Sequence, residues 1–280
     1  MVAMKYIVTG SEGFIGKALV AFLVAKGHEV ICIDRVNGDE AADMEQYLES
    51  NSDVAGVFHL AAQTSVFNPD TEQIRKDNID AFINVVDACA RHGVRLVYAS
   101  SSTAAKGNAT SMYGISKRFD EHYARLYHDD AWGVRLHNVY GPDPRHGTLL
   151  WHLLNDDVVD IYNMGENTRH FTYIEDAVNG LYQVMTMKTE EFSHQTHKVR
   201  VINVANPEEM KVAEFAREVS ARIGSKLRFH GDLRPRDNYR QKVEDEIISL
   251  SLHYKSVQEG LDAIFGERNG MTIDDINVGV

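Results

Sequence analysis

The chain has 280 residues, enough for about two domains of ordinary size. It carries 29 Lys and Arg against 41 Asp and Glu, a formal net charge of −12. This charge argues against sequence-independent binding to nucleic acid or to an anionic membrane, because both need a basic face. With 44% hydrophobic residues the chain can bury a full core. The composition indicates a globular protein without nucleic-acid or membrane partners.

The N-terminus and the cysteines predict a reducing, cytoplasmic location. Met1 to Lys5 lead directly into an apolar strand and a glycine turn, without the long apolar stretch of an export signal. The apolar runs of the chain are far shorter than the roughly 20 residues that span a bilayer. Cys32 and Cys89 both lie in apolar runs, so a disulfide framework is not expected.

Apolar runs alternate with helix-period segments throughout the first half of the chain. Short, nearly continuous apolar runs predict buried strands, whereas apolar residues spaced by three and four predict helices. Strands are expected at 6–8, 30–33, 56–60, 96–99 and 132–136, and helices at 15–26, 40–49, 79–91 and 113–127. Buried strands separated by helices predict an α/β fold, a doubly wound parallel sheet of the Rossmann type.

The alternation of strands and helices breaks after Gly141-Pro142. The elements expected beyond it are an irregular segment at 143–169, a helix at 174–187, a strand at 199–204, a helix at 210–223, and loops and short helices at 227–280. We therefore expect a nucleotide-binding domain of residues 1–137 and 174–204. A smaller C-terminal substrate domain of residues 138–173 and 205–280 completes the predicted organisation.

A glycine-rich turn, Gly10–Gly16, joins the first predicted strand to the first predicted helix. Glycines at such a turn let backbone N–H groups approach a pyrophosphate at the helix N-terminus. Asp34 ends the second strand, 18 residues beyond Gly16, where a carboxylate accepts the hydroxyls of an adenosine ribose. Arg35 leaves room for a 2′-phosphate, but Asp34 would repel one. The sequence thus predicts a dinucleotide site and favours NAD over NADP.

Tyr113 and Lys117 lie four residues apart on a predicted helix and therefore share one face. The ammonium group favours the phenolate form, which makes Tyr113 a candidate general base. Ser100, Ser101 and Ser102 end a predicted strand just upstream, where hydroxyl groups suit a substrate hydroxyl or carbonyl. For Ser100 and Ser101, capping of a turn or helix is the alternative role.

Taken together, the motifs resemble the extended short-chain dehydrogenases/reductases of the nucleotide-sugar epimerase/dehydratase family. The likeness runs from Lys5 to about Ile264. It rests on Thr9-Gly10-x-x-Gly13-Phe14-Ile15-Gly16, His59-Leu60-Ala61-Ala62-Gln63, Tyr98-Ala99-Ser100-Ser101-Ser102, Tyr113-x-x-x-Lys117, Arg135-x-x-Asn138-Val139-Tyr140-Gly141-Pro142 and Arg169-x-Phe171-Thr172-Tyr173-Ile174-x-Asp176.

The resemblance implies a role for each of these positions. Ser102 would hold the reacting sugar oxygen, Tyr113 would be the base, and Lys117 would hold the nicotinamide ribose. The cofactor NAD would be bound by Gly10, Gly13, Phe14, Ile15, Gly16, Asp34, Arg35, Leu60, Ala61, Ala62, Asn78, Ser100, Ser101, Tyr113 and Lys117. Ser102, Asn138, Arg169 and Arg234 would bind the sugar nucleotide, the two arginines on its diphosphate.

The sequence departs from the family pattern at five places. Thr103 and Ala104 stand where the dehydratases carry an Asp-Glu pair, which argues against 4,6-dehydration. Only 19 residues separate Asp34 from Val54, so either Asp39 replaces an acidic residue at the adenine or a strand is missing. The loop between Ser102 and Tyr113 is trimmed. Lys106 stands where the family often has tyrosine, and Arg236 stands where the family motif has glycine.

The resemblance implies an NAD-dependent nucleotide-sugar epimerase that inverts C4 of a UDP-hexose or UDP-N-acetylhexosamine through a 4-keto intermediate. A heptose-nucleotide 6-epimerase and a 4-keto-sugar reductase that uses NADPH remain alternatives within the family. A regulator that binds a nucleotide without turnover is the alternative from another class. No metal is expected, because the histidine pairs His146/His152 and His194/His197 have no further ligand at a matching spacing.

Two helices, at 78–91 and 113–127, are apolar on more than one side and predict a homodimer. The residues that carry this expectation are Phe82, Val85, Val86 and Cys89 on the first helix and Phe119, Tyr123, Leu126 and Tyr127 on the second. The family resemblance implies the same four-helix interface.

Overall fold

The computed structural model describes residues 2–188, 200–234, 243–244 and 247–268, and the description below is of these residues. The first half alternates strands and helices: β1 (Lys5–Thr9), α1 (Phe14–Ala25), β2 (Glu29–Ile33), α2 (Met44–Ser50), β3 (Val54–His59), α3 (Thr71–Ile74), α4 (Ala81–His92), β4 (Arg95–Ser101), α5 (Met112–Tyr127) and β5 (Ala131–Leu136). A π-helical segment, Arg75–Asp80, joins α3 to α4.

The second half adds short strands and four helices to the described fold. They are β6 (Val139–Tyr140), α6 (Leu149–Asn155), β7 (Val158–Ile161), β8 (Thr168–Arg169), β9 (Thr172–Tyr173), α7 (Ile174–Thr186), β10 (Val201–Val204), β11 (Met210–Lys211), α8 (Val212–Ile223), β12 (Lys226–Phe229) and α9 (Val257–Arg268). No helix in the described ranges is long and apolar enough to cross a membrane.

The main sheet has six strands in the order β10-β5-β4-β3-β1-β2, and every pair in it is parallel. Helices α1 and α7 cover one face, and α2, α4 and α5 cover the other. This confirms the predicted doubly wound sheet. The strand order reverses between β1 and β3, which is where parallel sheets of this kind bind ligands.

The shortened segment between β2 and β3 holds two 3₁₀ turns and α2 but no strand, so β2 is an edge of the sheet. The expected alternatives were a missing strand or a substitute acid, and the strand is missing. Asp39 lines the cleft beside the sheet, but its carboxylate accepts a hydrogen bond of 2.7 Å from the Tyr47 hydroxyl.

The prediction of an irregular segment at 143–169 is wrong, because α6 and β7 lie within it. β7 pairs in parallel with β12, and β8 pairs antiparallel with β11. The helix expected from residue 210 accordingly begins at Val212, after β11. The tail holds the 12-residue helix α9 as well as loops. These strands are short and pair with remote segments, so local periodicity did not reveal them.

Two apolar clusters lie on the two sides of the sheet. Phe82 and Leu48 belong to the cluster under α2, α4 and α5. The larger cluster begins with Leu19 under α1 and continues without interruption to Phe215 of α8 and Leu261 of α9. The division into two domains stays a prediction, since this core joins the two parts. Both cysteines are free; Cys89 is buried and Cys32 is half-buried.

Candidate active site

A cleft of about 880 Å³ opens along the carboxyl ends of the strands. All but one of the predicted site residues line it. They are Gly10, Gly13, Phe14, Ile15, Gly16, Asp34, Arg35, Leu60, Ala61, Ala62, Ser100, Ser101, Ser102, Tyr113, Lys117, Asn138, Arg169 and Arg234. Because parallel strands end at one edge of the sheet, residues far apart in sequence meet there.

The glycine turn fits a pyrophosphate closely. Gly10 has φ +69°, and a Cβ on it would lie 2.7 Å from the backbone nitrogen of Ala61. A Cβ on Gly16 would collide with the carbonyl oxygen of Gly10. Gly13 caps α1 without a side-chain hydrogen bond, so the first N–H groups of the helix face the cleft uncapped. A helix start of this kind binds anionic groups.

Asp34 and Arg35 stand at the end of the cleft beside the glycine turn. The Asp34 carboxylate accepts N–H groups of Glu12 at 3.0 Å and Val36 at 3.1 Å, which fixes it beside the turn. Arg35 donates to both carboxylate oxygens of Glu40, at 2.9 and 2.8 Å, and to Asp77 at 2.7 Å. Glu40 and Asp77 thus neutralise Arg35, the cation that could otherwise have bound a 2′-phosphate.

Asp77 is buried beneath this arginine. Burial alone would raise the pKa of Asp77, but hydrogen bonds from Arg35, Gln73 and Gln63 outweigh it and lower the pKa to about 2. The carboxylate therefore stays ionised and keeps Arg35 occupied at every physiological pH. This network was not predicted, because its members come from separate segments: the turn after β2, the loop after β3, α3 and the π-helical segment.

Asn78 is the predicted cofactor residue that does not line the cleft. Its amide oxygen accepts the N–H of Gln63 at 2.7 Å, and its NH₂ group donates to the Gln63 carbonyl at 2.9 Å and to Ser116 Oγ at 3.0 Å. It lies inside the π-helical segment and not at a helix start. Its polar atoms fasten the loop after β3 to α5, which positions the cleft wall.

The three serines after β4 have different surroundings. Ser100 donates to Glu121 at 2.6 Å, and Ser101 accepts hydrogen bonds from the N–H and the hydroxyl of Thr103. The capping role thus applies to Ser101, at the start of the turn Ser102–Ala104. Ser102 is buried at the same edge, and its carbonyl accepts from Asn108 at 3.0 Å.

Tyr113 and Lys117 enter the cleft from the first two turns of α5. Ser111 caps this helix by accepting the Gly114 N–H at 3.2 Å, so the helix start is fixed. Tyr113 is half-buried and Lys117 is buried. The Lys117 ammonium donates to Asp120 at 3.2 Å. The phenol and the ammonium share one face of the helix, as the spacing predicts.

Three further predicted residues line the cleft on the side of the second half. Asn138 adopts a left-handed backbone conformation with φ 34°, directly before β6. Arg169 is buried in β8 and donates to the carbonyl of Thr168 at 2.8 Å. Arg234 places its guanidinium 4.0 Å from the centre of the Phe67 ring. Residues 235–237, which complete the predicted arginine motif, lie outside the described residues.

Sequence reasoning missed Arg145, in the loop after β6. Its guanidinium donates to the Thr64 hydroxyl across the cleft, and Tyr113 lies close enough to interact with it electrostatically. Arg145 remains open to the solvent of the cleft. Within the described ranges, no carboxylate lies at ion-pair distance from it. No spacing rule identifies such a residue, since its loop has no period.

His137 and His170, the next candidate bases if Tyr113 were not the base, do not line the cleft. His137 is buried, and burial together with the neighbouring His170 lowers its pKa to about 3. His170 bonds through Nδ1 to the carbonyl of Asn206 at 2.8 Å. The part of the chain that the structure describes holds no group of three or more His, Cys, Asp or Glu placed to bind a metal ion.

Comparison with known proteins identifies the family. The sequence model of the NAD dependent epimerase/dehydratase family matches residues 6–205. CapI of Staphylococcus aureus is 28% identical over 92% of this chain and 96% of its own. A putative UDP-glucose 4-epimerase of Methanocaldococcus jannaschii is 25% identical over 90% of each chain.

The fold is shared with solved enzymes of the same kind. The NAD-dependent NDP-hexosamine 5,6-dehydratase TunA, of tunicamycin biosynthesis, superposes with a TM-score of 0.78 at 23% identity, over 97% of this chain and 100% of that one. Solved complexes in this group contain NAD, and the glycine turn and Asp34 fit that cofactor. The chain therefore belongs to the NAD-dependent epimerase/dehydratase family of extended short-chain dehydrogenases/reductases, with NAD as its cofactor.

Proposed function

We propose that this enzyme epimerises a nucleotide sugar at C4 through a 4-keto intermediate. The main support is that Ser102, Tyr113 and Lys117 line one cleft, at the end of β4 and the start of α5. Thr103 and Ala104 follow Ser102, so no acid stands ready there to protonate a leaving hydroxyl. The similarity to a putative UDP-glucose 4-epimerase supports the same reaction.

Each side chain has a distinct part in this proposal. Bound NAD supplies the hydride acceptor and donor. Tyr113, as phenolate, takes the proton of the sugar 4-hydroxyl and later returns it to the same oxygen, which Ser102 holds. Lys117 favours the phenolate and binds the nicotinamide ribose. Arg169 and Arg234 bind the diphosphate, so the ring can turn and present its opposite face before the proton returns.

The alternatives predict different chemistry from the same cleft. A 4-keto-sugar reductase would consume a reduced cofactor in each cycle, whereas epimerisation regenerates NAD. A heptose-nucleotide 6-epimerase would act at C6, two carbons beyond C4. A regulator without turnover would bind sugar nucleotides without any change in absorbance near 340 nm. NMR of the products formed from a panel of sugar nucleotides, with the absorbance followed in parallel, distinguishes these cases; a sugar recovered unchanged throughout the panel contradicts the proposal.

A hexuronate is the second candidate substrate, and Arg145 favours it. Arg145 lines the cleft beside Tyr113, close enough for the two groups to interact electrostatically. Among the described residues, the only hydrogen-bond partner of its guanidinium is the hydroxyl of Thr64, which carries no charge. A carboxylate on C5 of the sugar would give Arg145 a charged partner and a charge-assisted hydrogen bond. Such a 4-keto sugar is a β-keto acid, so loss of CO₂ would compete with epimerisation.

Replacing Arg145 by Gln tests this second candidate. We expect kcat/KM for UDP-glucuronate to fall about 10–100-fold, the value of one charged hydrogen bond, and kcat/KM for UDP-glucose to change little. Arg145→Lys keeps the charge and is the matched control. If Arg145 instead binds the diphosphate, the values for both substrates fall together, and the hexuronate assignment is wrong. NMR separates an epimer from a decarboxylated pentose.

A homodimer is proposed along α5. On α4, Phe82, Val85, Val86 and Cys89 are buried within the subunit, so that helix does not offer the apolar surface that was expected of it. On α5, Leu126 and Tyr127 remain 68% and 59% exposed. Phe119, Tyr123 and Tyr127 stack in a row, with ring centres 5.6 and 4.3 Å apart.

When a second copy presents the same aromatic row of α5 across a twofold axis, the two rows form a self-complementary interface. Light scattering at micromolar concentration is expected to give the mass of two chains. Tyr127→Lys combined with Leu126→Lys is expected to give the mass of one. A single-chain mass for the unaltered protein contradicts the proposal.

A further inference from the structure

Asp120 is a buried carboxylate one turn beyond Lys117 on α5. It is 0% exposed, and its Oδ2 lies 3.2 Å from the Lys117 ammonium. Its other oxygen, Oδ1, has no hydrogen-bond partner among the described residues. Removing a carboxylate from water costs several kcal/mol unless good partners replace the water. Lys117 is therefore its principal stabilising contact, and the two groups act as a unit.

The charged and titratable groups around this pair come from four elements. On β3, burial lowers the pKa of His59 to about 3 and the Lys117 charge acts in the same direction, so His59 is neutral. On β4, burial raises the pKa of Tyr98 well above its usual range. Glu121, next to Asp120 on α5, is paired with Arg135 of β5 at 2.7 Å. Around neutral pH His59 and Tyr98 therefore keep a constant charge.

Asp120 itself behaves differently. Burial raises the pKa of Asp120 to about 7, against the opposing effect of Lys117 and with the support of Glu121. Its charge therefore changes around neutral pH. When the carboxylate is ionised it offsets the positive charge of Lys117, and when it is protonated Lys117 acts unopposed.

We propose that Asp120 is a positioning residue that holds the Lys117 ammonium and, through its own protonation, sets how much positive charge reaches Tyr113. The inference rests on the proposed function, in which Tyr113 is the base. Tyr113, Lys117 and Asp120 form a line along one face of α5, since they are separated by four and three residues. The role of Lys117 therefore depends on whether Asp120, which does not line the cleft, carries a proton.

Asp120→Asn is the test, because it removes the charge and keeps an oxygen for Lys117. The profile of kcat/KM against pH, from 5.5 to 9.5, is expected to move its acid limb to lower pH by about one unit, since Lys117 then favours the phenolate without opposition. Asp120→Glu keeps the charge and should leave the limb in place. Asp176→Asn is the control, because Asp176 is also buried with a raised pKa but contacts the backbone of Lys255, away from the cleft.

A second measurement does not depend on activity. The folded-state pKa of Asp120 lies above its unfolded value, so its contribution stabilises the protein below about pH 4 and is lost as the pH rises to about 7. The urea midpoint of Asp120→Asn, relative to the unaltered protein, is therefore expected to rise across this window. Should Asp120→Asn fold poorly, Asp120→Ser is read in the same two ways.

The outcomes separate the two proposals. An acid limb that stays in place in Asp120→Asn, or that moves equally in Asp176→Asn, overturns the role of Asp120. A relative urea midpoint that is flat with pH also overturns it. If Tyr113→Phe keeps full activity, the base assignment fails instead, and that result is obtained without any variant of Asp120.

Discussion

Replacing Tyr113 by Phe is expected to lower turnover of the nucleotide sugar about 10²–10⁴-fold, the usual loss on removing a general base. Folding and NAD binding should survive, because the ring volume is kept and Tyr113 is a half-buried residue at the cleft. Lys117→Met should reduce both turnover and NAD affinity, since Lys117 has two roles. Turnover is measured by NMR of the sugar, and NAD affinity by calorimetry.

Tyr127→Phe is the matched control for this experiment. It removes a hydroxyl from the same helix at an exposed position away from the cleft wall, so turnover should be unchanged. Full activity of Tyr113→Phe on the true substrate would contradict the mechanism. The regulator interpretation would then return, but His137 and His170 would not be the next bases to test, because neither lines the cleft.

The largest effect on stability is expected from Arg135→Met. Arg135 of β5 is buried and makes two parallel hydrogen bonds to Glu121, at 2.7 and 2.8 Å. It also contacts Glu244 of the C-terminal part at 2.5 Å. Removing one partner of a buried pair leaves an uncompensated charge, so the free energy of unfolding should fall by about 3–5 kcal/mol. Urea denaturation measures this loss.

An exposed arginine provides the comparison. Arg91 also contacts a glutamate, Glu45, but its side chain is 59% exposed, against 6% for Arg135. Water screens such a pair, so Arg91→Met should leave the unfolding free energy almost unchanged. Equal losses in the two variants would show that the Arg135 pair is not special. Because Ser100 bonds to Glu121, the buried pair also fixes the strand end that carries Ser102.

Elements with a local pattern follow from the order of the amino acids alone. Apolar runs and helical periodicity predicted the five strands and four of the five helices of the first half, because burial on both faces of a parallel sheet imposes that alternation. The glycine turn and Asp34 predicted the cofactor cleft, since Gly10 and Gly16 lie where the backbone excludes a Cβ. The spacing of Tyr113 and Lys117 was enough to place both groups on one helix face.

Interactions between remote segments depend on tertiary packing. β7 and β12 are four residues each and gain their order from pairing across 68 positions in register, as in Lys226 with Val158. Arg145 reaches the hydroxyl of Thr64 from a loop without a pattern. Asp120 looks like an ordinary helical aspartate until the packing of α5 against β4 removes its water. The burial and the charge state of these side chains depend on neighbours from distant parts of the chain, so a local sequence pattern cannot predict them.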